Sequence, residues 1–103
     1  MYAVLYRWRL KPGHESSFET AWADRTEEIK KEHGALGSRL HKADDGSFIA
    51  YAQWPSREAW EEASSTAGAN SPSSLTMKEA TESFEIVARM DVIKDLLVEA
   101  SKI

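Results

Sequence analysis

From residue 2 to residue 10 the chain alternates, with Tyr2, Val4, Tyr6, Trp8 and Leu10 on one side and Ala3, Leu5, Arg7 and Arg9 on the other. A period of two places successive side chains on opposite faces and predicts a strand over 2–10. Lys11-Pro12-Gly13 ends it. From residue 14 to 33 the period becomes helical, and Phe18, Ala21, Trp22, Arg25 and Ile29 fall on one stripe. Glu15 and Glu19 lie near the start of this helix and Lys30 and Lys31 near its end, each sign suited to the helix dipole. Glu27 and Lys31 are spaced as an i,i+4 ion pair, and Gly34 is placed to close the helix in the left-handed conformation.

A second strand is predicted over 36–42 and a third over 48–54, joined by Asp44-Asp45-Gly46, whose residue types close a hairpin. On the third strand Phe48, Ala50, Ala52 and Trp54 share one face, and Ile49, Tyr51 and Gln53 the other. Pro55 stops the strand, and Ser56 is placed to cap a helix over 57–65 that turns Ala59, Trp60 and Ala63 inward. Residues 68–74, rich in Gly, Ser and Pro, read as a loop, followed by a short helical turn over 77–80. A last strand over 83–94 sets Phe84, Ile86, Ala88, Met90 and Val92 against Glu85, Val87, Arg89, Asp91 and Ile93. The tail Leu96-Leu97-Val98 follows it.

This order, βαββαβ, predicts an α+β fold: a ferredoxin-like plait in one domain over 1–103. Right-handed crossovers place the first and third strands at the centre of a four-stranded antiparallel sheet, with both helices on one face. The other face then carries Leu5, Ile49, Tyr51, Val87 and Ile93 among Arg7, Arg9, Glu85, Arg89 and Asp91. Its apolar centre predicts a homodimer stacked face to face, with arginines meeting acids across the interface.

Composition narrows the function. With 103 residues, 17 acidic and 13 basic, the formal charge is −4, which leaves no basic surplus for nucleic acid or an anionic membrane. No cysteine is present, so disulfide, thiolate and iron–sulfur chemistry are excluded. The N-terminal residues lack the pattern of a signal peptide, and no apolar run is long enough to cross a membrane, so a soluble, cytoplasmic protein is expected. His14, His33 and His41 have no metal-ligand spacing, and neither a metal nor another cofactor is expected. No phosphate-cradling loop, nucleophile elbow or carboxylate pair occurs.

What remains is the aromatic content: ten aromatic residues, four of them Trp. Trp54 ends a strand where the chain turns into a helix, and Tyr6 lies on the same predicted face. Together with Trp8, Trp22 and Trp60 they either line a pocket or fill the core. In a pocket, Tyr6 would orient a phenolic oxygen. His41 reads as a base or as a solvated hairpin residue, and Arg39 as facing either the cavity or the dimer interface.

The chain resembles the antibiotic biosynthesis monooxygenase family of the dimeric α/β-barrel superfamily. The resemblance rests on Leu10-Lys-Pro-Gly13, on Phe18, on Gly34-Ala-Leu-Gly-Ser-Arg-Leu40, on Tyr51-Ala-Gln-Trp-Pro-Ser56 and on Asp95-Leu-Leu97. It implies a dimer of stacked plaits with a ligand cavity between sheet and helices in each subunit. Members of the family include oxygenases that convert electron-rich phenolic polycycles to quinones without metal or flavin, and relatives that degrade haem. By position, Trp54 matches the tryptophan that lines the cavity in both groups. Tyr6 falls where the haem-degrading group has an asparagine. The haem-ligating histidine would stand near Ser64 or Ser65, where this chain has none. The asparagine and tyrosine that assist substrate in the quinone-forming group correspond to Ala50 and Trp60. The resemblance thus implies a cofactor-independent monooxygenase acting on a small electron-rich aromatic, quinol or polyketide-like, with Tyr6 and Trp54 at its centre. The alternative is a non-catalytic module of the same fold that binds a small aromatic or only dimerises.

Overall fold

The computed structural model describes residues 1–66 and 71–98. Four strands form one antiparallel sheet in the order β2-β3-β1-β4, where β1 is Tyr2–Leu10, β2 Gly37–Lys42, β3 Phe48–Trp54 and β4 Thr81–Asp91. The helices are α1 (Glu15–His33), α2 (Arg57–Thr66) and α3 (Pro72–Ala80). The plait expected from the sequence is therefore present, with β1 and β3 central and one helix added. Among the described residues no helix is long and apolar enough to cross a membrane.

Local chemistry fixes these elements. At the β2–β3 hairpin the Asp45 carboxylate accepts from the Ser47 backbone N–H at 2.9 Å and from its hydroxyl at 2.7 Å. Gly46 there takes a φ of 88°, which a side chain would oppose. The Ser56 hydroxyl accepts from the Ala59 N–H at 3.1 Å and caps α2 as its position suggested. Gly34 closes α1 in the left-handed region, its N–H donating to the Lys30 carbonyl.

Three expectations need correction. The run read as a loop with a short turn is, from residue 72 on, helical. Ser71 caps α3 by accepting from the Ser74 N–H, and Pro72 fills the first helical position, where its missing N–H costs nothing. The rest of that run, 68–70, lies outside the described residues. Glu27 pairs with Lys30 at 3.1 Å rather than with Lys31, because the i,i+3 neighbour also lies on its face.

The third correction concerns β4. Tyr6 pairs with Ile86 but Leu5 with Ala88, so Val87 is an extra residue in a bulge. Beyond it every side chain changes face. Arg89, opposite Val4, comes to the helix side, while Ala88 and Met90 go to the open side. A second shift, between Arg9 and Leu10, lies near the start of the strand.

The core lies between sheet and helices in two aromatic clusters. One gathers Tyr2, Val4, Trp54, Trp60 and Ala63, and the other Trp8, Phe18, Phe48, Ala50 and Ala80. Phe18, fully buried, meets Trp8 edge-on at 5.2 Å and Phe48 at 5.8 Å. Contacts of that geometry each contribute about 1 kcal/mol beyond area burial. Between the clusters stands Tyr6, half-buried and packed against both.

Candidate active site

Tyr6 is held by its neighbours in the sheet and by one hydrogen bond. It pairs with Ala50 of β3, whose small side chain leaves space over the strand, and stacks on Phe84 of β4 at 5.9 Å. Above it, the Trp60 indole N–H donates to the phenol oxygen at 2.8 Å. Trp60 is fixed from its other side by Arg89, whose guanidinium lies 4.8 Å from the ring while its Nε donates to the Tyr2 hydroxyl at 3.0 Å. The bulge at Val87 makes that contact possible, since an unshifted strand would turn Arg89 away from the helices.

A second indole N–H, that of Trp54, is buried beside the same phenol and makes no hydrogen bond. It lies near enough to the phenol oxygen to favour the phenolate. Burial nonetheless dominates and pushes the Tyr6 phenol above its ordinary pKa, against the opposing effect of the two indole donors. Tyr6 therefore keeps its proton throughout the neutral range. With Trp60 bonded to the oxygen, the Tyr6 O–H is left to point elsewhere, and it finds no acceptor among the described residues.

Tyr6 lines a cavity of about 130 Å³ between the sheet and α1, with α3 at one side. Its walls are mainly aromatic and aliphatic: Trp8, Trp22, Ile29, Ala50, Trp54, Met77 and Phe84. Polar lining groups are mostly engaged. Thr26 donates to the Trp22 carbonyl, and Ser38 to that of Tyr51. Arg25, buried on α1, is tied at 3.0 Å to Glu28, which also accepts from the Ser73 hydroxyl through both carboxylate oxygens. That serine, first of all, holds the Glu28 carboxyl below the usual glutamate range. The Arg25–Glu28–Ser73 cluster thus pins α3 to α1 beside the cavity. No carboxylate or imidazole lines the cavity itself.

The structure brings together Tyr6, Trp54, Trp8 and Trp22 around this cavity and places Trp60 directly behind Tyr6. It separates Arg39 and His41 from them. Arg39 pairs with Tyr51 and His41 with Ile49, which turns both to the open face of the sheet. The His41 ring bonds the Ile49 carbonyl at 3.0 Å. There the two residues border a larger but shallower groove of about 880 Å³, with Tyr51, Val92 and Leu96. Arg89 was missed as a site residue because the alternation along 83–94 gives no sign of the bulge. Arg25 stood on the predicted inward stripe, where a lone arginine among apolar residues signals a buried ion pair.

The model of the family described as antibiotic biosynthesis monooxygenase matches residues 1–70. The chain belongs to this family. No curated protein sequence matches it. Among solved structures, SnoaB of Streptomyces nogalater, described as a cofactor-independent oxygenase, is similar with a TM-score of 0.74. It is 16% identical over 92% of this chain and 95% of its own. Rv0793 of Mycobacterium tuberculosis is 20% identical over 90% of this chain and 98% of its own, with a TM-score of 0.61. At such identities the likeness shows the shared fold alone, and the chemistry has to be argued from the cavity.

Proposed function

We propose that this family member is a cofactor-independent monooxygenase-like protein that admits a small electron-rich aromatic, a quinol or polyketide-like phenol, to the cavity beside Tyr6. The observation that carries the reading is the Tyr6 phenol on the wall of a cavity lined mainly by aromatic and aliphatic side chains. A phenol reacts with O2 most readily as its phenolate, which donates an electron without help from a bound group. The protein then has to orient the ring, stabilise the ring oxygen and keep water away. For a ring CH2, one oxygen atom of O2 ends in the new carbonyl, and the other leaves as water with the two hydrogens. Trp8, Trp22 and Trp54 would clamp the ring, Tyr6 would hold its oxygen, and Trp60 would position Tyr6.

A specific observation favours a second reading. Ala50 and Trp60 stand where polar partners of substrate would be expected, and no base lines the cavity. A non-catalytic binder of small aromatics would need neither. Oxygen uptake decides between the two. With a dihydroxynaphthalene or hydroquinone in excess, an enzyme consumes O2 above the protein-free rate, and Tyr6→Phe reduces that rate about tenfold or more. Saturable quenching of Trp fluorescence by the same compounds, with O2 uptake at the protein-free rate, would establish the binder instead.

We also infer a homodimer through the open sheet face. Leu5, Ile49, Tyr51, Ala88 and Val92 are half-buried there, and Met90 is exposed. The charges expected to meet across the interface are matched within the chain, Arg7 with Glu85 at 2.9 Å and Arg9 with Asp45 at 3.6 Å. Apolar contact, rather than ion pairs, would therefore hold such a dimer together.

A further inference from the structure

We propose that Arg89, which does not line the cavity, is a positioning residue for Tyr6 and acts on it through Trp60. This rests on the reading of Tyr6 as the residue that meets a ligand. It goes beyond that reading by adding a cation on the edge strand that fixes where the phenol oxygen is held.

The indole of Trp60 has a single polar atom and has to lie one way for that atom to reach Tyr6. It projects from α2 and is buried with Tyr2, Val4 and Ala63. Burial of this kind is non-directional: it keeps the ring out of water without choosing which edge faces the sheet. The N–H meets the Tyr6 oxygen at 2.8 Å, and such a bond weakens steeply as the ring swings out of line. A second, directional contact is needed to hold the ring in that orientation.

Arg89 supplies it. Its guanidinium lies 4.8 Å from the centre of the Trp60 ring. A cation is attracted to the face of an indole and repelled by its edge, so a ring that turns away from the Tyr6 oxygen also loses the arginine. The cation draws electron density from the ring as well, which makes the N–H a stronger donor. The guanidinium is itself anchored, since its Nε donates at 3.0 Å to the hydroxyl of Tyr2, a fully buried side chain on the neighbouring strand. The nearby Arg57 faces the Tyr2 ring instead, at 5.7 Å. A surface arginine that only shields the edge of the core would affect the whole fold alike, whereas a positioning arginine affects one N–H above the others.

The test is hydrogen exchange of the indole N–H groups in the full chain, followed by nitrogen-15 NMR at neutral pH. The Trp60 signal is the one lost in Trp60→Phe. A contact of this kind changes an equilibrium about threefold. Arg89→Met keeps a long stem and removes the charge, so the Trp60 N–H should exchange about threefold faster relative to the other indole N–H groups. Arg89→Lys, which keeps a cation, should restore at least half of that protection. In Tyr6→Phe, where the Trp60 N–H has lost its acceptor, Arg89→Met should leave the ratio unchanged. Equal acceleration of every indole N–H, an unchanged ratio in Arg89→Met, or no recovery in Arg89→Lys overturns the proposal. Equilibrium dialysis with 1-naphthol carries the result to the cavity, where Arg89→Met should bind about threefold more weakly than wild type. Equal binding by the two overturns the role of Arg89 at the site. If the wild type binds no 1-naphthol, the ligand reading of the cavity fails, and the exchange ratio, measured with no ligand present, still decides whether Arg89 positions Tyr6.

Discussion

The hydrogen bond from Trp60 to Tyr6 can be weighed by a double-mutant cycle. Trp60→Phe removes the N–H together with the buried five-membered part of the indole. The bond is worth about 1 kcal/mol. Roughly two to three carbon-sized groups lost from a buried position cost about 2 kcal/mol more. Tyr6→Phe leaves the Trp60 N–H without an acceptor, at a cost of about 1–2 kcal/mol. In the double variant neither partner remains to be disappointed, so its loss should fall short of the sum of the single losses by about 1 kcal/mol. Trp60→Phe also weakens the contact with Arg89, 4.8 Å away, but it does so in both Tyr6 backgrounds and cancels from the cycle. Urea unfolding followed by far-UV circular dichroism, at one fixed protein concentration, gives the four stabilities, provided the slopes agree. A coupling of about 1 kcal/mol confirms that the bond is made in solution. Additivity to within about 0.3 kcal/mol would refute it.

The Glu28 carboxyl is held below its ordinary range by Ser73 first and by Arg25, so its contribution is present above the unfolded-state pKa and is lost as pH falls through the folded one. Thermal melts of Glu28→Gln should therefore fall below wild type at neutral pH and converge with it in acid; parallel curves throughout would show that the cluster does not tie α3 to α1. For Tyr6 the sign is opposite, since its raised pKa confers stability that is full below the unfolded-state tyrosine pKa and fades as pH rises through the folded one. Tyr6→Phe should accordingly lose less stability than wild type across that alkaline window, as followed by the same melts. Tyr51→Glu places a charge at the centre of the open face and should convert a dimer to monomer in sedimentation at micromolar concentration; a wild-type monomer there would reject the interface.

Much of the fold was legible because period and punctuation agree in this chain. The strands Tyr2–Leu10 and Phe48–Trp54 are bounded by Pro12 and Pro55 together with turn residues, and their alternation survives intact in the structure. The end of α1 was equally plain, since Gly34 lies directly after a basic last turn. The start of α3 carried a signal that composition concealed: Ser71 followed by Pro72 is a cap and a first helical residue, yet it sits in a run that reads as low complexity. The bulge at Val87 had no signal of its own. No glycine marks it, and the side chains on either side alternate without a break. Only pairing with β1 shows that the pattern changes face at that point. The tryptophans were placed on the right side of the sheet, but the division of labour among them depended on which indole reached the Tyr6 oxygen, and that is set by helix position rather than by spacing in the sequence.

That division changes what the Ala50 and Trp60 departures mean. If a polar residue on α2 were needed to touch a ligand, Trp60 in its place would be a loss. In this chain Trp60 instead spends its N–H on Tyr6, one strand away, and Ala50 leaves the room above β3 for the phenol to reach into the cavity. The polar group at the cavity wall thus stands on β1 rather than on β3 or α2, and the bulge at Val87 in β4 brings Arg89 against the outer face of Trp60. Arg89, Trp60 and Tyr6 form one connected series from the exposed edge strand to the cavity, ending beside the unmatched N–H of Trp54.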